Sequence, residues 1–341
     1  MKRGPKLLYF FRGDEHSGRP GFGAELERRG WRVDCVPVSD AAALRGIPEV
    51  FAKKHDLSEY DVVAASEYFL TWALSLRALL NRNVPAVAAL SFNQSSRRLI
   101  ETHIRPVDWL LNRVWRRVAL FVVHSRAEAD MFAKVHDIPG DRFVFSHWGY
   151  DLPAFREARV YSDPTPYVTM IGRNNRDIAA FCEAVRLADV RGVLVTAGYM
   201  LERNPLSVPT NVKILTDRSM EECLSLVAGS FAHLVLVTDA KRGAGHISAV
   251  SAMLLGKPQI FTEVPPLQDY LIDGFNGIGV PLSDAQAVAQ AICKLRDDSN
   301  FADQLGTAGR RFALEKMSNA GSSARMADAI EAALKPGARL A

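Results

Sequence analysis

The chain is poor in cysteine, with four in 341 residues, and it has no long apolar run. Cys35, Cys182, Cys223 and Cys293 lie far apart, and no pair has metal-ligand or redox spacing. A disulfide scaffold is excluded, and free thiols in a reducing compartment are expected. No uninterrupted apolar stretch approaches the ~20 residues of a membrane span. Leu7 to Phe11 is apolar, but Arg12, Asp14 and Glu15 follow at once, which argues against a signal-peptide core. The expectation is a cytoplasmic protein, or one peripheral on the inner face of a membrane. Net charge is also scarce, at +4. Residues 1–160 carry 24 Lys and Arg against 19 Asp and Glu, and residues 161–341 carry 18 against 19. Neither half has the dense basic stripe of a nucleic-acid protein.

What is present is an ordinary globular composition, 48% hydrophobic and 23% charged. The length suits two domains. Short apolar runs alternate with helical patterns: Leu7–Phe11, Trp31–Val38, Asp61–Ala65, Val84–Leu90 and Leu120–His124 read as strands. A break rich in Pro and Gly follows near Gly149–Pro166, and the alternation then restarts at Tyr167–Ile171. Strand-then-helix alternation predicts parallel sheets covered by helices, an α/β chain of two Rossmann-like domains. The expected domains are residues 1–155 and 156–341, with the last helix able to pack back on the first domain. A cleft between the two halves is the expected ligand site.

Three constellations carry candidate chemistry. Residues 14–23 follow the first strand and contain Asp14, Glu15, His16 and Arg19, side chains able to bond a hydroxylated acceptor. The same loop reads equally as a solvated one, and its glycines do not match a dinucleotide turn. Ile171-Gly-Arg-Asn-Asn-Arg-Asp177 ends a strand and sets Arg173 and Arg176 at a helix start, where arginine and helix amides suit phosphate. Asp177 is the expected cap of that helix. Asp239 to Ser248 holds Lys241, Arg242, Gly243, Gly245 and His246 before another helix; the turn serves either anion binding or packing alone.

Through Gly172-Arg173, Gly243-Ala-Gly245, Ala252-Met253, Gly256-Lys-Pro258, Asp269 and Asp273-Gly274, the second half resembles the C-terminal domain of family-4-type retaining glycosyltransferases of the GT-B fold. Val122-Val-His-Ser125 and His147-Trp-Gly-Tyr-Asp151 extend the likeness, which covers most of 120–295. The resemblance implies two facing Rossmann-like domains and transfer of a sugar from a nucleotide-sugar to a glycan or lipid-linked acceptor. It implies that Arg173 and Arg176 hold the diphosphate, that Gly243, Gly245 and His246 hold the phosphate or sugar, and that Leu215–Thr216 lie near the base. It also implies donor contacts at Asp269, no metal and no cofactor beyond the donor substrate. His246 is the candidate catalytic group.

The chain departs from the family at two positions. The family's Glu-x7-Glu pair falls on Gly243 and Ser251, so both carboxylates are absent. Donor recognition shifts to Ser248, Ser251 and His246, or the chain is a non-catalytic binding protein; a nucleotide-sugar epimerase is a remoter alternative. A separate expectation concerns Pro106–Val118, read as one helix. Its polar face carries Trp109, Arg113, Arg116 and Arg117, which suits either an anionic membrane surface or plain solvent.

Overall fold

Runs of Val, Ala, Leu and Phe form short strands buried on both faces, as parallel sheets require. The computed structural model describes residues 4–12, 21–38, 50–51, 55–66, 68–81, 83–92, 109, 112–150, 160–161, 163–203, 207–241 and 243–334. The chain divides into two compact units, Met1–His147 with Asn319–Ala341, and Trp148–Ser318. The expected boundary at 155/156 lies outside the described residues.

Unit 1 contains β1 (Lys6–Arg12), α1 (Gly21–Arg28), β2 (Arg32–Val38), β3 (Val62–Ser66), α2 (Tyr68–Leu80), β4 (Ala86–Leu90), β5 (Val118–Val123), α3 (Arg126–His136) and β6 (Phe143–Phe145). The six strands run parallel in the order β2-β1-β3-β4-β5-β6. Gly30 follows α1 at φ 89°, a left-handed turn that lets the chain reverse into β2.

The helix expected over Pro106–Val118 ends earlier. Residues 112–115 are helical, Arg116 and Arg117 turn, and Val118 opens β5 beside Val87. The apolar spacing at Val114 and Val118 is real, but Val118 serves a strand. Trp115, which the spacing did not single out, is wholly buried against Tyr68, Phe92 and Phe121.

Unit 2 contains β7 (Tyr167–Ile171), α4 (Ile178–Leu187), β8 (Arg191–Thr196), α5 (Gly198–Arg203), β9 (Val212–Thr216), α6 (Met220–Gly229), β10 (Ala232–Val235), α7 (His246–Leu254), β11 (Gln259–Thr262), β12 (Ile278–Val280), α8 (Ala285–Asp297) and α9 (Ser299–Lys316). Its parallel order is β12-β11-β10-β7-β8-β9. Asp177 caps α4, its Oδ1 accepting from the Ala180 amide at 2.9 Å. A Cβ on Gly306 of α9 would overlap the Gly256 carbonyl, so a bare glycine lets α9 lie on the Gly256-Lys-Pro258 corner.

The final helix, α10 (Asn319–Ala333), belongs to unit 1. Met326, Ala327 and Ile330 join the cluster of Leu7, Phe22, Leu26 and Trp31. Arg29 of the first unit bonds Asp328 at 2.7 Å and Glu331 at 2.9 Å, and the Trp31 indole donates to Glu331 at 3.2 Å.

Candidate functional site

In unit 2 the strand order reverses between β7 and β10: the chain builds outward through β8 and β9 on one side, and through β11 and β12 on the other. Open parallel sheets bind ligands outside the strand ends at such a reversal. Two loops leave the sheet there, residues 172–177 after β7 and 236–245 after β10. They are stitched together. Asp177 N–H donates to Leu236 O at 3.1 Å, Arg176 bridges Val237, and Thr238 Oγ1 donates to Asn175 Oδ1 at 2.6 Å.

Arg176 stands in the middle of this junction and is 8% exposed. Its Nε donates to Ile171 O at 3.1 Å, Nη1 to Asn174 O at 3.1 Å and Nη2 to Ser248 Oγ at 3.3 Å. A guanidinium has five N–H groups, so these bonds use three. Among the described residues no carboxylate pairs with it. Burial pushes its pKa down to about 10, the cost of a charge removed from water without a counter-ion. Gly172 makes the arrangement possible, since a Cβ there would overlap the guanidinium.

The second loop comes up against the guanidinium. Gly245 precedes α7 at φ 99°, and a Cβ built on it would lie 3.9 Å from Arg176 Nη1 and clash with Val235. Ser248 accepts from Arg176 and donates to Gly245 O at 3.1 Å, so one hydroxyl couples the guanidinium to the first turn of α7. That turn has amides without helical acceptors and the positive end of the helix dipole. Buried guanidinium and helix terminus together present the kind of donors that suit an anion.

His246 opens α7 but faces inward. Its Nε2 lies 2.8 Å from Pro266 O, which makes that nitrogen the donor, and its ring stacks on Tyr270 at 4.5 Å. At 5% exposure the ring is committed to packing. A hydrogen bond and a stacking partner hold the imidazole expected as the catalytic group. Ser251 is likewise 5% exposed, and its hydroxyl donates to Ile247 O at 2.8 Å within its own helix.

The remaining candidates are more dispersed. Arg173 is exposed in the turn, and its carbonyl accepts from the Tyr199 hydroxyl at 3.0 Å. Thr216 is exposed at the end of β9, beside Thr196 of β8. Asp269 is half-buried beyond β11, and Gly243 is buried before α7. Lys241 is exposed, with its amide bonded to Asp239 Oδ1 at 2.7 Å; Arg242 lies outside the described residues. So do Asp14, Glu15, His16 and Arg19; β1, which precedes them, ends beside β3 where the order of the first sheet reverses.

Sequence reasoning did not single out two further site residues, Asn175 and Thr238. Asn175 sits at φ 52° and has a buried Nδ2 with no partner among the described residues, and Thr238 holds its Oδ1. The available signal was an Asn in a turn, since Asn tolerates the left-handed region.

On unit 1, Trp109 is 62% exposed, with the Arg113 guanidinium 5.4 Å over its ring. Arg116 and Arg117 are differently engaged. Arg116 pairs with Asp137 at 2.6 Å, and Arg117 is half-buried, donating to Ala78 O at 2.9 Å. Of the four, Arg117 is taken up by a backbone carbonyl and Arg116 by a surface carboxylate. Among the described residues no helix is long and apolar enough to cross a membrane.

Comparison with solved structures settles the architecture. The chain is similar to Anabaena HepE in complex with UDP, with TM-score 0.73 at 15% identity, covering 96% of this chain and 100% of that one. The fold is GT-B. A sucrose-phosphate synthase from Thermosynechococcus elongatus gives TM-score 0.73 at 15% identity, covering 96% and 98%. A glycosyltransferase from Rickettsia africae gives 0.69 at 13%, covering 98% and 100%. Residues 200–312 match the family model described as glycosyl transferases group 1. This part of the GT-B chain runs from α5 into α9 and contains Gly243 to Ser251. No curated protein matches the chain.

Proposed function

We propose that the chain is a glycosyltransferase that takes a sugar from a nucleotide-sugar and passes it to a hydroxyl of a glycan or lipid-linked acceptor, with retention, in polysaccharide or glycolipid assembly. One observation carries this reading: a buried Arg176 with no carboxylate partner among the described residues, set at the strand-order reversal against the start of α7. The match over 200–312 supports it, as do the UDP complexes of structurally similar proteins.

In the transfer the acceptor oxygen bonds to the anomeric carbon as the bond from that carbon to the diphosphate breaks. The hydroxyl proton passes to the departing diphosphate or to water. The nucleoside diphosphate is the leaving group, so the main need is to neutralise its growing charge. Arg176 and the first-turn amides of α7 meet that need, and they are already held in place before the reaction. Ser248 fixes the guanidinium, and Asn175 Nδ2 offers a further donor. Arg173 and Lys241 add exposed charge that draws an anionic donor in.

The absence of carboxylates at Gly243 and Ser251 favours a second reading, a protein that binds nucleotide or glycan without turnover. The two separate in one assay: incubate the full chain with a panel of nucleotide-sugars, with and without glycan acceptors, and measure nucleoside diphosphate release. Release that Arg176→Ala abolishes supports the transferase. Nucleotide binding with no release across the panel supports the binding protein.

A further inference from the structure

We propose that Tyr199 is the stacking platform for the nucleobase of the bound donor; this rests on the nucleotide-sugar reading above. A nucleotide whose phosphates lie at the β7/β10 reversal has to extend along the edge of the sheet, toward β8 and β9 or toward β11 and β12. The two directions differ. Beyond β11 stand the exposed carboxylate of Glu263 and the packed block of His246, Tyr270 and Pro266. Beyond β8, one strand spacing or about 4.8 Å from β7, stands Tyr199. It is 42% exposed, and among the described residues of unit 2 it is the one exposed aromatic side chain.

The tyrosine is also anchored to the phosphate side of the site. Its hydroxyl donates to Arg173 O at 3.0 Å and lies 3.2 Å from Asn174 Oδ1. The next loop, from β9, lies beside the residues just before it: Asp217 N–H donates to Thr196 O, and Asp217 Oδ2 would lie 3.8 Å from a Cβ built on Gly198. A ring held by its own hydroxyl loses little freedom when a base settles on it, which favours binding. Every base has a π-face, and stacking on an aromatic side chain is tolerant of base identity. Because the hydroxyl serves the turn, Tyr199 supplies affinity and leaves base choice to other groups.

The test is calorimetric titration of the full chain with UDP, GDP, ADP and inorganic pyrophosphate, for the wild type, Tyr199→Phe and Tyr199→Ala. Both variants lose the hydroxyl, so their difference isolates the ring. Tyr199→Ala is expected to bind the preferred nucleoside diphosphate about tenfold more weakly than Tyr199→Phe, while the two bind pyrophosphate alike. Equal nucleotide affinity in the two variants overturns the inference. So does a pyrophosphate affinity that falls in step, which would make Tyr199 only a support for the Arg173 turn. A wild-type chain that binds none of the four ligands overturns the donor reading itself, and this inference with it.

Discussion

Arg29 and Arg176 show two ways to use an arginine in one chain. Arg29, in unit 1, bonds Glu25, Asp328 and Glu331, and it ties α1 to α10. Three carboxylates surround it, and its pKa is raised by them. Arg176, in unit 2, is more deeply buried, has only carbonyl and hydroxyl partners among the described residues, and has its pKa lowered. A cation among acids is complete as it stands. A buried cation without an acid is stabilised by an incoming anion, and this one sits where the strand order reverses. By charge balance, the contrast separates a structural arginine from the one proposed to bind the donor.

The largest expected effect breaks the contrast outright. Arg176→Ala lowers affinity for nucleoside diphosphate about a hundredfold, the scale of losing charge-assisted hydrogen bonds. Arg29→Ala leaves that affinity unchanged and lowers only the melting temperature. Calorimetric titration and thermal melts on both variants check this. Next is Gly172→Ala, whose methyl displaces the guanidinium; about a tenfold loss of nucleotide affinity is expected, with a stability cost of about 1–3 kcal/mol.

A smaller effect sharpens the electrostatic side. His233 is wholly buried next to Thr169 Oγ1 at 2.9 Å, and burial, with the Arg176 charge adding, holds its pKa down to about 3. The unfolded chain therefore binds a proton below about pH 6.5 that the folded chain refuses. Stability falls as pH drops from about 6.5 toward 3, by about 1.4 kcal/mol per pH unit. Denaturant unfolding at several pH values should show a flatter slope for His233→Gln, and a slightly flatter one for Arg176→Ala.

The smallest concerns Trp109 and Arg113, an exposed cation–π pair on unit 1. If this pair docks on anionic lipid, sedimentation with anionic liposomes falls in Trp109→Ala and in about 0.5 M salt. Unchanged sedimentation removes the unit 1 patch and leaves the proposed anion site at Arg176 untouched.

Much of this was readable from sequence. Apolar runs such as Leu7–Phe11 and Tyr167–Ile171 are strands as read, because a fully buried parallel strand needs little else. Three-residue strands such as Phe143–Phe145 and Ile278–Val280 carry too few residues for a pattern. The Gly172-Arg173…Arg176 spacing put charge at a strand end, but burial of Arg176 depends on a missing Cβ at Gly172 and a hydroxyl 72 positions away at Ser248. Neither is local in sequence. The inward face of His246 has the same cause: Pro266 and Tyr270 come from beyond β11, and only the fold brings them to the ring.

The most direct test of the anion site is a crystal structure of the full chain grown with the nucleoside diphosphate it binds best. The expected result places the phosphates within about 3.5 Å of Arg176 and of the first-turn amides of α7, at the β7/β10 reversal. A nucleotide bound elsewhere, with Arg176 still bonded only to Ile171, Asn174 and Ser248, would contradict the account.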